Sequence, residues 1–155
     1  MLRLLLPRRK YALDNARGLF SGEQLQTFDG RHLSLSDCLT TASMFSGCKM
    51  LTSVHNSDWH LRSADGMFSG CMELTELDTS DWDLSALTSA YQMFESCTAL
   101  TTLHPTATWD LSALASAWTM FKGCKALTSE GCPTLKLSNK WTNAQNMFCA
   151  FVHLF

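Results

Sequence analysis

The side chains of this chain that could do chemistry are seven cysteines, three recurring tryptophans, a set of aspartates and a few histidines. Cys48, Cys71, Cys97 and Cys124 each stand three residues after a phenylalanine, so they hold one place in a recurring unit. Zinc needs four ligands converging on a tetrahedron, and one thiol per unit makes a line instead. Thiols displaced along one axis also carry parallel Cβ vectors, which strain a disulfide. A buried free cysteine behaves as a small apolar filler, and that is the role the spacing predicts. Cys38, Cys132 and Cys149 fall off the line. Cys132, followed by Pro133, is placed in an irregular loop where a thiol could be exposed, but no histidine stands at a spacing that would activate it.

Trp59, Trp82 and Trp109 follow Met44, Met67 and Met93 by 15, 15 and 16 residues. Two readings stay open for them. One is a buried aromatic column; the other is a surface ladder of indoles on which a glycan or peptide stacks. Asp58, Asp81, Asp83 and Asp110 flank these tryptophans as turn residues, without the spacing of a calcium loop. His55, His60, His104 and His153 share no place in the unit. Phosphate-binding glycine loops, nucleophile elbows, HExxH pairs and zinc-finger spacings do not occur. The expectation is a protein without catalytic residues, bound metal or cofactor.

The elements that must position these residues follow from the repeat. Met-Phe pairs occur at 44–45, 67–68, 93–94, 120–121 and 147–148. Six residues before each Met stand Cys38, Leu61, Leu87, Leu114 and Trp141, and seven after it stand Leu51, Leu74, Leu100, Leu127 and Leu154. A unit of about 26 residues cannot close a core alone, so copies must stack and set equivalent side chains above one another. Phe45, Phe68, Phe94, Phe121 and Phe148 then form one file, and the four in-register cysteines another. Leu-x-x-Leu segments predict short parallel strands near 51–55, 74–78 and 100–104. The spacing of Ala90 and Met93 predicts a short helical turn over each Met-Phe pair, stopped by Gly47, Gly70 and Gly123. The expected fold is an α/β repeat, a right-handed leucine-rich-repeat-like solenoid of about five rungs over 37–155, preceded at 1–36 by a basic helical segment and cap.

Trp82-Asp83-Leu84-Ser85 and Trp109-Asp110-Leu111-Ser112, with the Met-Phe-x-x-Cys-x-x-Leu-Thr runs that follow them, resemble the repeat of BspA-type leucine-rich-repeat surface proteins. The resemblance spans about 38–155. It implies a parallel sheet on one face, a role in binding or adhesion at a cell surface, and no catalysis. The segment at 128–140 lacks the Trp-Asp pair, and the unit between Trp59 and Met67 is three residues short.

Composition limits the partners. An apolar fraction of 46% is too high for a disordered chain, and no run of about 18 apolar residues encodes a membrane-spanning helix. Residues 1–20 carry five basic side chains against Asp14 alone; residues 21–155 carry seven basic and thirteen acidic ones. A net-acidic body argues against nucleic acid. The basic head reads as the polar face of an N-terminal helix, an organellar transit segment, or the tail of a preceding domain; Arg3 and Pro7 interrupt it too early for a secretory signal. Residues 148–155 are apolar where a capping unit would be polar, which points to a longer array or a covering subunit. The favoured function is a non-enzymatic protein- or glycan-binding module. Its candidate binding residues are Thr52, Thr75, Glu76, Thr101 and Thr102 on the sheet face, with Trp59, Trp82 and Trp109. The alternative is a structural subunit docking through its basic head and apolar end.

Overall fold

Left-handed residues, rather than helix propensity, shape the Met-Phe segments. The computed structural model describes residues 3–4, 11–56, 59–104 and 108–138. Backbone φ is positive two residues before each phenylalanine, at Gly18, Ser43, Gly66, Gln92 and Thr119 (54° to 62°). It is positive again two residues after, at Gly22, Gly47, Gly70, Ser96 and Gly123 (62° to 79°). A right-handed helix cannot run through such residues. Each segment instead closes three consecutive turns: Met44 N–H donates to Thr41 O (3.0 Å), Ser46 N–H to Ser43 O and Cys48 N–H to Phe45 O (both 3.1 Å). A left-handed third residue gives the turns over 41–44 and 45–48 the type II form.

The intervening amides point along the stack. Gly18, Phe20 and Gly22 donate to Ala42, Met44 and Ser46; Ser43, Phe45 and Gly47 donate to Asp65, Met67 and Ser69. Gly66, Phe68 and Gly70 donate to Tyr91, Met93 and Glu95, and Gln92, Phe94 and Ser96 to Trp118, Met120 and Lys122. All twelve bonds lie between 2.7 and 3.0 Å. A backbone so satisfied can sit over a dry core.

The extended segments are short. Strand β1 (Arg3–Leu4) pairs in parallel with β3 (Thr27–Asp29), which pairs with β5 (Ser53–His55). Strand β2 (Tyr11–Ala12) pairs with β4 (Leu33–Ser34), and β6 (Thr108–Leu111) with β7 (Thr134–Leu137). One 3-10 turn lies at Ser129–Gly131. Gly131 is packed so tightly on the Thr101 carbonyl that a Cβ would have no room there. Leu103 N–H donates to Gly131 O at 2.7 Å across the same contact.

The expected fold class is therefore corrected. Among the described residues there is no α-helix, only one 3-10 turn and short parallel pairs in three small sheets. This is not a helix-containing α/β leucine-rich-repeat-like solenoid; it is an assembly of turns joined by brief strand pairs. The expected strands at 74–78 and 100–104 shrink to one bridge between Glu76 and Thr102. Asp78 bends the chain by accepting the Ser80 amide (3.0 Å), and His104 turns left-handed (φ 45°). The head holds strand β1 at Arg3–Leu4, where a helix was expected. The segment at 128–140 does reach the Trp109 level: β7 sets Leu135 opposite Trp109. Met147, Phe148, Trp141, Cys149 and the apolar end at 148–155 lie outside the described residues, as do Asp58 and Pro105.

One buried cluster runs from Ala16 to Leu127. Its axis is a file of phenyl rings: Phe20–Phe45 (5.4 Å between centroids), Phe45–Phe68 (5.2 Å), Phe68–Phe94 (5.6 Å) and Phe94–Phe121 (5.4 Å). The interplanar angle falls from 19° at the first pair to 1° at the last two. Phe20 belongs to a copy that opens with Leu19-Phe20-Ser21-Gly22, which matches Met44-Phe45-Ser46-Gly47 with Leu in place of Met.

Candidate functional site

The residues most capable of chemistry are sealed inside. Cys48, Cys71, Cys97 and Cys124 are buried, and each thiol donates to the carbonyl of the phenylalanine one loop earlier: Phe20 (3.0 Å), Phe45 (3.2 Å), Phe68 (3.1 Å) and Phe94 (3.0 Å). Desolvation pushes the Cys48 and Cys71 thiols up. At Cys97 the neighbouring Cys124 thiol comes first and burial second, again upward. A thiol held protonated is neither nucleophile nor metal ligand. Cys132 is half-buried, and burial pushes it up to about 11, so the loop thiol is no more reactive. The six cysteines among the described residues are free, and no group of three or more His, Cys, Asp or Glu there could hold a metal.

The tryptophans are also interior. Trp59, Trp82 and Trp109 are 0%, 7% and 1% exposed, stack on one another at 5.7 and 6.4 Å, and lie 6.2 to 6.4 Å from Phe45, Phe68 and Phe94. The surface-ladder reading of these three residues is thus corrected: buried indoles offer no face to a ligand. Trp109 Nε1 donates to Thr79 Oγ1 (3.1 Å), which donates on to Leu103 O (3.0 Å). Asn56 occupies the place of Thr79 one copy earlier, two residues past Val54 as Thr79 is past Leu77. Its Oδ1 and the Nε1 of Trp82 are both buried without a partner.

The aspartates act as turn caps. Asp83 accepts the Ser85 amide (2.9 Å) and Asp110 the Ser112 amide (3.0 Å). Lys136, 2.6 Å away, is the main cause that holds Asp110 down at about 2. Arg31 does the same for Asp29, gripping both carboxylate oxygens at 2.9 and 2.6 Å.

What remains outside is the face carrying Thr52, Thr75, Glu76, Thr101 and Thr102. The first four are exposed and Thr102 is half-buried. Thr52 Oγ1 donates to Gln26 O and Thr101 Oγ1 to Thr75 O, each at 2.9 Å, so these hydroxyl protons tie loops together. Their oxygens still have lone pairs to offer. Beside Thr52 lies an open groove of about 480 Å³ lined by Gln26, Thr27, Met50, Thr52 and Glu73. Sequence reasoning missed Met50 and Glu73, and also the exposed Tyr91 and Trp118. The last two had a signal: polar Arg17, Asp65 and Gln145 hold the same place, three before phenylalanine, in three of the other copies, and the small, buried Ala42 in the fourth.

Fold and site together define a turn-built stack with its reactive side chains inside and a polar, threonine-bearing face outside. The family model of a Mycoplasma protein of unknown function, DUF285, matches residues 14–133, and the chain belongs to that family. The match takes in the Leu19-Phe20 copy. No curated protein and no solved structure matches the chain. Among the described residues no helix is long and apolar enough to cross a membrane.

Proposed function

We propose that this protein is a non-enzymatic binding module that recognises a protein or glycan at a cell surface, in the manner its BspA-type motifs imply. The observation that supports this most is the sorting of side chains. The four in-register thiols and the three in-register indoles are buried, while Thr52, Thr75, Glu76 and Thr101 are exposed, Thr52 in the wall of the Gln26–Met50–Glu73 groove. Exposed hydroxyls and amides on a rigid hydrogen-bonded frame suit recognition, since little order must be gained on binding. The acidic body favours a neutral or basic partner. The test is surface plasmon resonance of the whole chain over an immobilised matrix glycoprotein such as laminin. Saturable binding of micromolar order, weakened in the Glu73→Arg and Glu76→Arg variants, is expected. Absence of saturable binding, or equal binding by both variants, contradicts the proposal.

A further inference from the structure

Tyr91 and Trp118 leave successive loops at the same place, three residues before Phe94 and Phe121, and are 42% and 56% exposed. Their backbones are bonded into the ladder there: Gly66 N–H donates to Tyr91 O (2.7 Å) and Gln92 N–H to Trp118 O (3.0 Å). The two aromatic groups therefore emerge about one strand spacing, ~4.8 Å, apart. One loop earlier the place is held by Asp65. Its Oδ1 accepts both the Ser89 hydroxyl (2.5 Å) and the Tyr91 amide (2.9 Å), which fixes the carboxylate and leaves Oδ2 without a partner among the described residues. Ser63, Ser89 and Ser116 run alongside, joined loop to loop by backbone bridges.

We propose that Trp118, Tyr91 and Asp65 form a platform for a flat, equatorially linked pyranose glycan. The C–H face of one sugar ring lies on each aromatic ring, and sugar hydroxyls meet Asp65 Oδ2 and the Trp118 indole N–H. The assignment deepens the binding-module reading and rests on it. A glycan fits better than a folded protein for two reasons. Tyr91 and Trp118 both stand open to solvent, whereas a protein hot spot sits in a desolvated pocket within about 800 Å² per partner. A carboxylate with a free oxygen beside the rings is costly to bury against a protein but bonds readily to a hydrated polyol. A nucleobase stacked on an aromatic side chain gains about 1–3 kcal/mol, and the loss expected for a sugar C–H face takes the low end of that range.

The experiment is calorimetric titration of the whole chain with cellotetraose and with chitotetraose, for the wild type and the Trp118→Ala, Tyr91→Ala and Trp118→Tyr variants. Saturable binding is expected with at least one tetrasaccharide. Either alanine variant should weaken it about tenfold, and Trp118→Tyr should retain most of it. Because both side chains are exposed, thermal melts should be unchanged. No saturable binding of either tetrasaccharide by the wild type, or binding indifferent to both alanine variants, overturns the assignment. Binding to laminin that survives both enzymatic removal of its glycans and the Trp118→Ala change also overturns it, while leaving the binding-module reading intact.

Discussion

Phe68→Ala tests the interior most sharply. The Phe68 ring is fully buried, with Phe45 at 5.2 Å on one side, Phe94 at 5.6 Å on the other and Trp82 at 6.2 Å. Truncating a phenylalanine in such a site costs about 3–5 kcal/mol, part of it the two ring pairs at about 0.5–1.5 kcal/mol each. Phe20 provides the control. It is half-buried and meets Phe45 and Phe28 (4.9 Å) with no ring of the file on its other side among the described residues. Its truncation should cost about half as much. In urea, with a slope of about 2–3 kcal/mol per M, Phe68→Ala should move the midpoint down by about 1.5 M and Phe20→Ala by about half that. Phe68→Leu keeps most of the volume and gives a folded intermediate case. Equal midpoint shifts for Phe68→Ala and Phe20→Ala, or a shift below about 0.4 M for the former, would refute the reasoning.

Three further outcomes follow from the same geometry. Ser96 sits left-handed (φ 62°) where the other copies have Gly22, Gly47, Gly70 and Gly123. Ser96→Gly should raise stability by about 0.5–1 kcal/mol and Gly70→Ala lower it by about 1, both read from urea midpoints. Asn56→Thr should recreate the hydroxyl that serves Trp109 and give Trp82 Nε1 an acceptor. A gain of about 1 kcal/mol is expected, and a loss would show that the two places are not equivalent. Asp29 and Asp110 are lowered from 3.8 to about 2 by Arg31 and Lys136. Both carboxyls take up protons more readily when unfolded, so the stability they contribute is complete above about pH 4 and is lost as pH falls to 2. Acid melts of an Asp29→Asn, Asp110→Asn double variant should be flatter over that window than those of the wild type. The difference should shrink in high salt, because both pairs are exposed.

The sequence made some of this architecture legible and hid the rest for identifiable reasons. The registers of Phe45, Phe68, Phe94 and Phe121 and of the cysteines could be read because buried positions restrict residue type tightly. Helical turns were misread at Ala90 and Met93 because an i, i+3 spacing fits a turn as well as a helix. What separates them is the sign of φ at Gln92 and Ser96, where no glycine marks the left-handed conformation. Strands were overestimated at 74–78 and 100–104 because Leu-x-x-Leu records burial and is silent about the bends at Asp78 and His104. The Leu19-Phe20 copy is hidden because Leu19 stands where the other copies carry Met. For the site, spacing alone could not say which aromatic file faces inward: Trp59, Trp82 and Trp109 are regular and buried, whereas Tyr91 and Trp118 occur in only two copies and are exposed.

The stack is held by amides that reach from one loop to the next. Scalar couplings across hydrogen bonds, measured by NMR on isotope-labelled protein, test it most directly. Couplings are predicted from the Phe20, Phe45, Phe68 and Phe94 amide nitrogens to the carbonyl carbons of Met44, Met67, Met93 and Met120. Couplings running instead to carbonyls four residues earlier in the same segment would mean helices at the Met-Phe pairs and would contradict it.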